Sequence, residues 1–369
     1  MTDHGLVIGK FYPPHLGHDL LIRTAAAACR RVSVVVMASQ VESIPLANRV
    51  AWLQAAHLTE PNVQVVGVMD EYPVDLESEA MWSAHVGLMR QALAGLSAPK
   101  VTAVFTSESY GEELARRFEA RHVAVDPDRR LVPISSSAIR RDLVAGWDYL
   151  AAPVRAGLAF RVVVLGAEST GTTTLAADLA EHWQARGGVY RQTRWVPEFG
   201  REYSIEKFAQ ACASAQLAGK PPPALTELVW ESPEFEHVAR TQLANEDVAA
   251  ASGGPVLICD TDAFATTVWH ERYVGGANEA VEAIANQRPH PLYLLTHHAD
   301  VPYEQDGLRD GEHLREWMTG RFIERLDATG RRTLILTGDR RARLYKAVAA
   351  IEAALPAAFR FAAPLSPSG

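Results

Sequence analysis

Residues 161–183, "RVVVLGAESTGTTTLAADLAEHW", carry the pattern that decides the fold of the second half of the chain. An apolar run leads into a glycine-containing turn and then into a helical pattern, the setting of a phosphate-binding loop of the form G-x-x-x-x-G-K-[ST]. Gly166 and Gly171 occupy its two glycine positions, and Thr173 occupies the position of its Mg²⁺-binding hydroxyl. Thr172 stands where the motif has lysine. The stretch therefore predicts a phosphate cradle without its usual positive charge, and a plain glycine turn is the alternative.

The loop residues themselves are the candidates for binding ATP, since backbone N–H groups and hydroxyls can surround a phosphate. They are Gly166, Glu168, Ser169, Thr170, Gly171, Thr172, Thr173 and Thr174.

Two acidic residues follow a second apolar run, "GGPVLICDTDAFATT" at residues 253–267. Asp260 and Asp262 stand where an acid would lie near the Mg²⁺ of a bound nucleotide. We predict Thr173 and Asp260 as the residues that serve Mg²⁺, with Asp262 near the kinase substrate. The alternative for these acids is turn capping, a common role of aspartate.

Two further segments add charged candidates to the second half. "VPEFGREY" (196–203) brings Glu198 and Arg201 together, and "EQDGLRDGEHLREWM" (304–318) places Arg309 in a glycine-containing loop before a helix. That loop is a candidate lid or an ordinary solvated turn. Either arginine could supply the charge missing at Thr172. The sequence does not decide between Glu198 and Asp260 as general base.

Length and composition limit the classes of protein. A chain of 369 residues with 48% hydrophobic residues indicates two or three globular domains. It has no long apolar run and no signal-peptide pattern, so we expect no membrane span and a cytoplasmic protein. Three scattered cysteines, Cys29, Cys212 and Cys259, fit a reducing compartment. A net charge of −8 argues against broad, non-specific nucleic-acid binding.

The first half alternates strand-like and helix-like runs, which predicts a parallel α/β sheet with ligands at the carboxyl ends of its strands. At the first such end, in "GKFYPPHLGHDLL" (9–21), His15 and His18 flank Gly17 where a helix begins. Imidazoles beside a helix N-terminus can donate hydrogen bonds to phosphate. The alternative is a polar loop with an ordinary helix cap.

A second segment of the first half, "VPISSSAIRRDLVAG" (132–146), places Ser135, Ser136 and Ser137 at another helix start. Arg140 lies three to four residues further on and shares their face of the helix. Hydroxyls, N–H groups and a guanidinium would converge on one point, as a triphosphate requires. A serine cap with a surface arginine is the alternative.

"GKFYPPHLGH" together with "ISSSAIR" resembles the HxGH-type nucleotidyltransferase superfamily. The resemblance implies adenylyl transfer, in which a substrate phosphate attacks the α-phosphorus of ATP and pyrophosphate leaves. It implies that His15 and His18 hold the reacting phosphates, and that Ser136, Ser137 and Arg140 hold the β and γ phosphates with Mg²⁺. The ATP-binding candidates of this half are Gly9, Lys10, Phe11, Gly17, Ser107, Ser135, Ser136 and Ser137.

The order of these segments, with "EFGRE", "DTDAFATT" and "DGLR" behind an HxGH half, resembles the NadR-type bifunctional nicotinamide-mononucleotide adenylyltransferases/ribosylnicotinamide kinases. The resemblance runs from about Gly5 to about Ala350. It suggests Arg49, Trp52 and Trp82 near the mononucleotide, where an indole can stack on a pyridinium; helix packing is the alternative for both tryptophans. Some members begin with a helix-turn-helix domain, for which the start of this sequence leaves no room, so we expect no DNA binding.

We therefore expect an α/β protein with a Rossmann-like HxGH nucleotidyltransferase domain (1–150), a linker (151–158), a P-loop kinase-like domain (159–358) and a flexible tail (359–369). The expected function is NAD biosynthesis and salvage, through adenylyl transfer to nicotinamide mononucleotide and phosphorylation of ribosylnicotinamide. Expected ligands are ATP, Mg²⁺, nicotinamide mononucleotide, ribosylnicotinamide and NAD, and the chain could form homo-oligomers. The alternatives are an adenylyltransferase with a non-catalytic nucleotide sensor and a non-enzymatic nucleotide-binding regulator.

Overall fold

The computed structural model describes residues 2–299, 301–305, 309 and 311–365. By their contacts the residues fall into two units. The first unit is Met1–Gly157 together with Phe359–Gly369, and the second is Leu158–Ala358.

The first unit contains a five-stranded parallel sheet in the order β3-β2-β1-β4-β5 within its described residues. Its strands are β1 (Thr2–Gly9), β2 (Cys29–Ala38), β3 (Val63–Met69), β4 (Ala103–Thr106) and β5 (Arg121–Ala124). Its helices are α1 (Leu16–Ala28), α2 (Leu46–Ala56), α3 (Glu79–Gly95), α4 (Gly111–Arg117), α5 (Ser136–Arg141) and α6 (Ala152–Leu158), with a 3₁₀ turn at Trp147–Tyr149.

Helices cover both faces of the sheet in the first unit. Successive strand residues point to opposite faces, so each strand contributes to both cores. In β1, Leu6 packs into the core cluster beneath α3 and α4. The next residue, Val7, packs into the cluster beneath α1. The predicted alternation of strands and helices is confirmed, and β5, a short and partly exposed edge strand, was not anticipated.

The second unit contains another five-stranded parallel sheet, in the order β10-β9-β6-β8-β7 within the part described. Its strands are β6 (Phe160–Gly166), β7 (Arg194–Val196), β8 (Val256–Asp260), β9 (Leu292–Thr296) and β10 (Thr333–Leu336). Its helices are α7 (Thr172–Ala185), α8 (Phe199–Leu217), α9 (Ser232–Ser252), α10 (Ala263–Tyr273), α11 (Glu279–Ala285), α12 (Arg315–Ala328) and α13 (Arg340–Ala358). Three 3₁₀ turns are Gly188–Gln192, Leu225–Glu227 and Glu312–Leu314.

The segments predicted as linker and tail differ from a simple connector and a free end. Most of residues 151–158 form the helix α6, which ends where β6 begins. At the other end of the chain, Phe361 and Ala362 contact Tyr12 and Ser43 of the first unit. The segment "FRFAA" (359–363) contains apolar side chains and backbone groups that can form such contacts, but the sequence does not show which residues they contact. Among the described residues, no helix combines the length and apolarity that crossing a membrane would require.

Candidate functional site

The first unit has a cavity of about 340 Å³ at the carboxyl ends of β1 and β4. This position agrees with the rule that parallel sheets bind ligands beyond the ends of their strands. Most of the predicted residues of this half line it together: Gly9, Lys10, Phe11, His15, Gly17, His18, Trp82, Ser107, Ser135, Ser136 and Ser137.

His15 and His18 form a stacked pair at the start of α1, with ring centroids 3.8 Å apart. The Nδ1 atom of His15 accepts from the Gly17 N–H at 3.1 Å, and Nδ1 of His18 accepts from the His15 N–H at 3.2 Å. Burial lowers the pKa of His15 to about 4, and burial next to His15 holds the pKa of His18 well below its usual value. Both rings are therefore neutral and carry their proton on Nε2, where each can donate a hydrogen bond.

The serine segment meets the histidine loop through hydrogen bonds. Ser135 caps α5, its Oγ accepting from the Ala138 N–H at 3.2 Å. The Ser136 hydroxyl donates to the carbonyl of Pro13 at 3.1 Å. Arg140 donates to the carbonyl of Tyr12 at 2.6 Å and to the Ser137 hydroxyl at 3.1 Å. Arg140 thus lies beside the serines that line the cavity, although its own side chain forms no part of the wall.

Two residues predicted near the mononucleotide do not line this cavity. Arg49 is fully buried, pairs with Glu42 at 2.6 Å and donates to the carbonyl of Ile44, so its guanidinium holds the fold. Trp52 packs against Gly157, where a Cβ would collide with the indole ring. Trp82 does line the cavity, and its Nε1–H donates to the carbonyl of Leu76 at 3.0 Å.

Sequence reasoning missed one charged pair in the wall of the first cavity. His85 Nδ1 lies 2.8 Å from Asp70 Oδ2, and the hydrogen bond to this carboxylate raises the pKa of His85. Asp70 ends up next to the cavity because it directly follows β3, a signal that the sequence contained.

The glycine-rich loop of the second unit has the backbone that the motif requires. Gly171 has φ +84°, a conformation suited to glycine, just before α7 begins. A Cβ at Gly166 would collide with the hydroxyls of Thr170 and Thr296. The Thr170 hydroxyl is buried and donates to the carbonyl of Ala167 at 2.7 Å. The loop is therefore a structured turn at the N-terminus of a helix, where anions bind readily.

Two cavities flank this loop. One, of about 140 Å³, contains Glu198, Asp260 and an aromatic wall. The other, of about 390 Å³, lies toward α13 and is lined by Arg340 and Arg343. Both cavities include Ser169, Thr172, Thr173 and Arg309, whereas Thr170, Gly171 and Thr174 line only the larger one. A phosphate chain on the loop would therefore have space on both sides.

The residues predicted for Mg²⁺ are brought together. The hydroxyls of Thr172 and Thr173 hydrogen-bond the carboxylate of Asp260, whose pKa burial raises to about 6. A hydroxyl beside a carboxylate is the oxygen donor set that Mg²⁺ accepts when phosphates and water complete its shell. The described residues contain no cluster of three His, Cys, Asp or Glu side chains that would hold a metal alone. The site thus fits a nucleotide-bound Mg²⁺.

Glu198 lies in the smaller cavity with Asp260, Arg201 and Arg309. Desolvation raises its pKa to about 8; Asp260 adds to the rise, and the two arginines oppose it. Glu168 in the same wall pairs with Arg272 at 2.9 Å and accepts from the Gly311 N–H. Arg309 donates to the carbonyl of Glu304 at 2.6 Å. Residues 306–308 and 310 of the candidate lid lie outside the described residues.

Asp262 does not reach either cavity, contrary to its predicted role near the kinase substrate. It is buried and caps α10, where Oδ1 accepts from the Ala265 N–H at 3.0 Å and Oδ2 from the Tyr293 hydroxyl at 2.9 Å. The two acids differ because Asp260 ends β8 at the sheet edge, while Asp262 starts a helix. The capping alternative is therefore the one the structure supports.

The smaller cavity also has an aromatic wall that sequence reasoning missed. Trp230, Phe235, Trp269 and Tyr273 line it, and the rings of Trp269 and Tyr273 are stacked with their centroids 6.2 Å apart. Trp269 and Tyr273 lie four residues apart in α10 and so share a helix face. That spacing was the available signal. The wall suits a flat ring.

Comparisons with known proteins agree with this picture. A family model described as an AAA domain matches residues 161–343. Two curated relatives are each a "Trifunctional NAD biosynthesis/regulator protein NadR". The Salmonella typhimurium protein is 23% identical over 322 residues, and the Escherichia coli protein is 25% identical over 324 residues. In both cases the match covers 83% of this chain and 71% of the relative.

Two solved structures share the fold along most of the chain. The crystal structure of a NadR protein in complex with NAD and AMP-PNP has a TM-score of 0.65 at 20% identity, covering 96% of this chain and 97% of that one. The structure of a NadR protein in complex with NR has a TM-score of 0.64 at 20% identity, covering 96% of each. The predicted resemblance to NadR-type proteins is confirmed, as is an α/β fold with parallel sheets.

Proposed function

We propose that the chain carries out two consecutive reactions of NAD synthesis, one in each unit. The second unit phosphorylates ribosylnicotinamide with ATP, and the first unit transfers the adenylyl group of ATP to nicotinamide mononucleotide. The observation that carries the proposal is the neutral His15–His18 pair at the N-terminus of α1, in one cavity with three serines.

In the adenylyl transfer, a phosphate oxygen of the mononucleotide attacks the α-phosphorus of ATP, and the bond to pyrophosphate breaks. Negative charge develops on the phosphate oxygens, and preorganised donors stabilise such charge without reorganising. Both Nε2–H groups would be such donors. Ser136 and Ser137, with Arg140 hydrogen-bonded behind them, would hold the departing pyrophosphate. Trp82 offers an apolar surface for the pyridine ring.

In the phosphorylation, a hydroxyl of ribosylnicotinamide attacks the γ-phosphorus of ATP on the glycine-rich loop, and ADP leaves. The aromatic wall of the smaller cavity would receive the pyridinium ring, and the larger cavity would receive the nucleotide. Asp260 and Thr173 would hold Mg²⁺, which when bound would draw charge from the transferred phosphoryl group. Glu198, whose pKa is raised to about 8, would in its ionised form accept the proton of the hydroxyl.

The named relatives support this assignment. They are described as NAD biosynthesis proteins, and the NadR crystals contain NAD, AMP-PNP or NR. These are the ligands that the two proposed sites would bind.

A second function for the loop is favoured by one observation. Thr172 directs its hydroxyl to Asp260 and leaves the loop without the lysine charge on the β and γ phosphates. Such a loop can still bind ATP through its N–H groups. The second unit would then be a nucleotide sensor attached to an active adenylyltransferase.

Product analysis tests the proposal. The purified protein is incubated with ATP and Mg²⁺ plus either ribosylnicotinamide or nicotinamide mononucleotide, and products are identified by mass spectrometry. The mononucleotide from the first mixture and NAD from the second support the two reactions. If NAD forms, ribosylnicotinamide is not phosphorylated and calorimetry detects ATP bound to the glycine-rich loop, the second unit is a nucleotide sensor. If neither product forms, both catalytic assignments are refuted.

A further inference from the structure

The end of the chain contacts the loop that carries the histidine pair. The Tyr12 hydroxyl donates to the carbonyl of Ala362 at 3.0 Å, and the Ala362 N–H donates to the Ser43 hydroxyl at 2.6 Å. The Phe361 ring meets the Tyr12 ring edge-on, with centroids 5.9 Å apart. These residues follow α13 of the second unit in sequence, but their contacts place them in the first unit.

Tyr12 is the residue at which the two phosphate-binding segments of the first cavity meet. Its side chain is completely buried, and its carbonyl accepts from Arg140. The carbonyl of the next residue, Pro13, accepts from Ser136. The Arg140 guanidinium also lies over the Tyr12 ring, 5.0 Å from its centroid. A shift of Tyr12 would therefore move His15, three residues further on, relative to Arg140 and Ser136.

The remaining contacts of Tyr12 come from the segment before α2. The Ser43 N–H donates to the Tyr12 hydroxyl at 2.8 Å, and the Arg49 guanidinium lies 4.4 Å from the ring centroid. Ala362 bonds both Tyr12 and Ser43 and so joins these two segments. Phe361 and Ala362 themselves form no part of the cavity wall.

We propose that Phe361 and Ala362 form a C-terminal strap that positions the histidine loop and Arg140 for adenylyl transfer. The inference rests on the proposed reaction of the first unit and adds that this site is completed by the end of the chain. The two strap residues act through Tyr12 and are positioning residues. A displacement of about 1 Å in a reacting group can cost on the order of a hundredfold in rate. Loss of the strap should thus lower the kcat of adenylyl transfer roughly tenfold to a hundredfold.

The test compares two shortened forms of the full protein. One ends at Arg360 and lacks the strap; the matched control ends at Leu365 and keeps it. In the form that ends at Arg360 we expect a lower kcat for NAD formation with a smaller change in KM. ATP binding to the glycine-rich loop of the second unit should not change. We also expect faster amide hydrogen exchange in residues 9–15. The control should behave as the intact chain does.

A point variant keeps the test decisive if the shortened chain folds poorly. Phe361→Ala should reduce kcat and speed exchange, and Phe361→Tyr, which retains the ring, should restore both. Unchanged kcat and unchanged exchange on removal of the strap would overturn the inference, as would equal losses of function in both units from Phe361→Ala. If the intact protein forms no NAD, the proposed reaction fails, but the exchange measurement still decides whether the strap holds the loop.

Discussion

Replacing Thr172 by lysine restores the usual phosphate-loop residue in a cavity that contains both Glu198 and Asp260. The pKa of Glu198 is raised to about 8, so at pH 7 only about one-tenth of this carboxyl is ionised. A cation within about 4–6 Å of a carboxyl lowers its pKa by about 1–3 units. A decrease of about 2 units would leave about nine-tenths of Glu198 ionised at pH 7. If Glu198 accepts the substrate proton, Thr172→Lys should raise kinase turnover about tenfold at pH 7.

The gain in kinase turnover should depend on pH. This dependence distinguishes an effect through Glu198 from direct attraction between the new lysine and the phosphates of ATP. At pH 9 most of the Glu198 carboxyl is already ionised, so the variant and the parent protein should differ little. The assay is ADP release with ribosylnicotinamide between pH 6 and 9.5, with Thr172→Met as a control that adds length without charge. An equal gain at pH 7 and pH 9 would refute the reasoning from Glu198. A loss at pH 7 would show instead that Arg201 or Arg309 already supplies the cation.

Five further substitutions test the assignments. His18→Ala should lower NAD formation about 10²–10³-fold, since it removes a preorganised donor, and should leave kinase turnover intact; loss of both activities in a folded protein contradicts two independent sites. Asp260→Asn should abolish kinase turnover. Asp262→Ala should keep it and lower the free energy of unfolding by about 1–3 kcal/mol, because α10 loses its cap and the Tyr293 hydroxyl loses its acceptor. Glu198→Gln should stabilise the fold at pH 8.5 but hardly at pH 4. The reason is that a carboxyl whose pKa is raised in the folded state lowers the free energy of unfolding as pH rises from about 4.5 to about 8. An equal effect of the substitution at both pH values in calorimetric unfolding would reject this. Arg49→Lys should lower the free energy of unfolding by about 1–3 kcal/mol, because the guanidinium binds Glu42 and the carbonyl of Ile44. The KM for the mononucleotide should not change. A changed KM without lost stability would show that Arg49 binds the ligand after all.

The parts of the fold that sequence reasoning predicted are those that depend on neighbouring residues. The glycine-rich loop, its preceding strand and the following helix are consecutive, so their pattern was readable. The histidine pair and the serine cap were likewise local features of helix starts. Their meeting in one cavity followed from the parallel sheet.

The errors concern residues whose partners lie outside the short motif from which each role was predicted. Arg49 is buried and paired with Glu42, and Trp52 packs against Gly157; the composition of α2 reveals neither contact. Asp260 and Asp262 are two residues apart and chemically identical, and only the end of β8 separates their roles. The C-terminal strap depends on contacts with Tyr12, some 350 residues away in sequence.

The neutral histidines and the titrating carboxylates give the two units different responses to acid. Burial lowers the pKa of His15 to about 4 and holds the pKa of His18 well below its usual value, so the donor capacity of both rings is constant across the neutral range. Asp260 and Glu198, with pKa values of about 6 and about 8, change charge within that range. Under the proposed function, mild acidification would slow the supply of mononucleotide while its conversion to NAD continued at the same intrinsic rate. Control of flux through the pair of reactions would thus pass to the first reaction as pH falls, and the mononucleotide pool would shrink rather than accumulate.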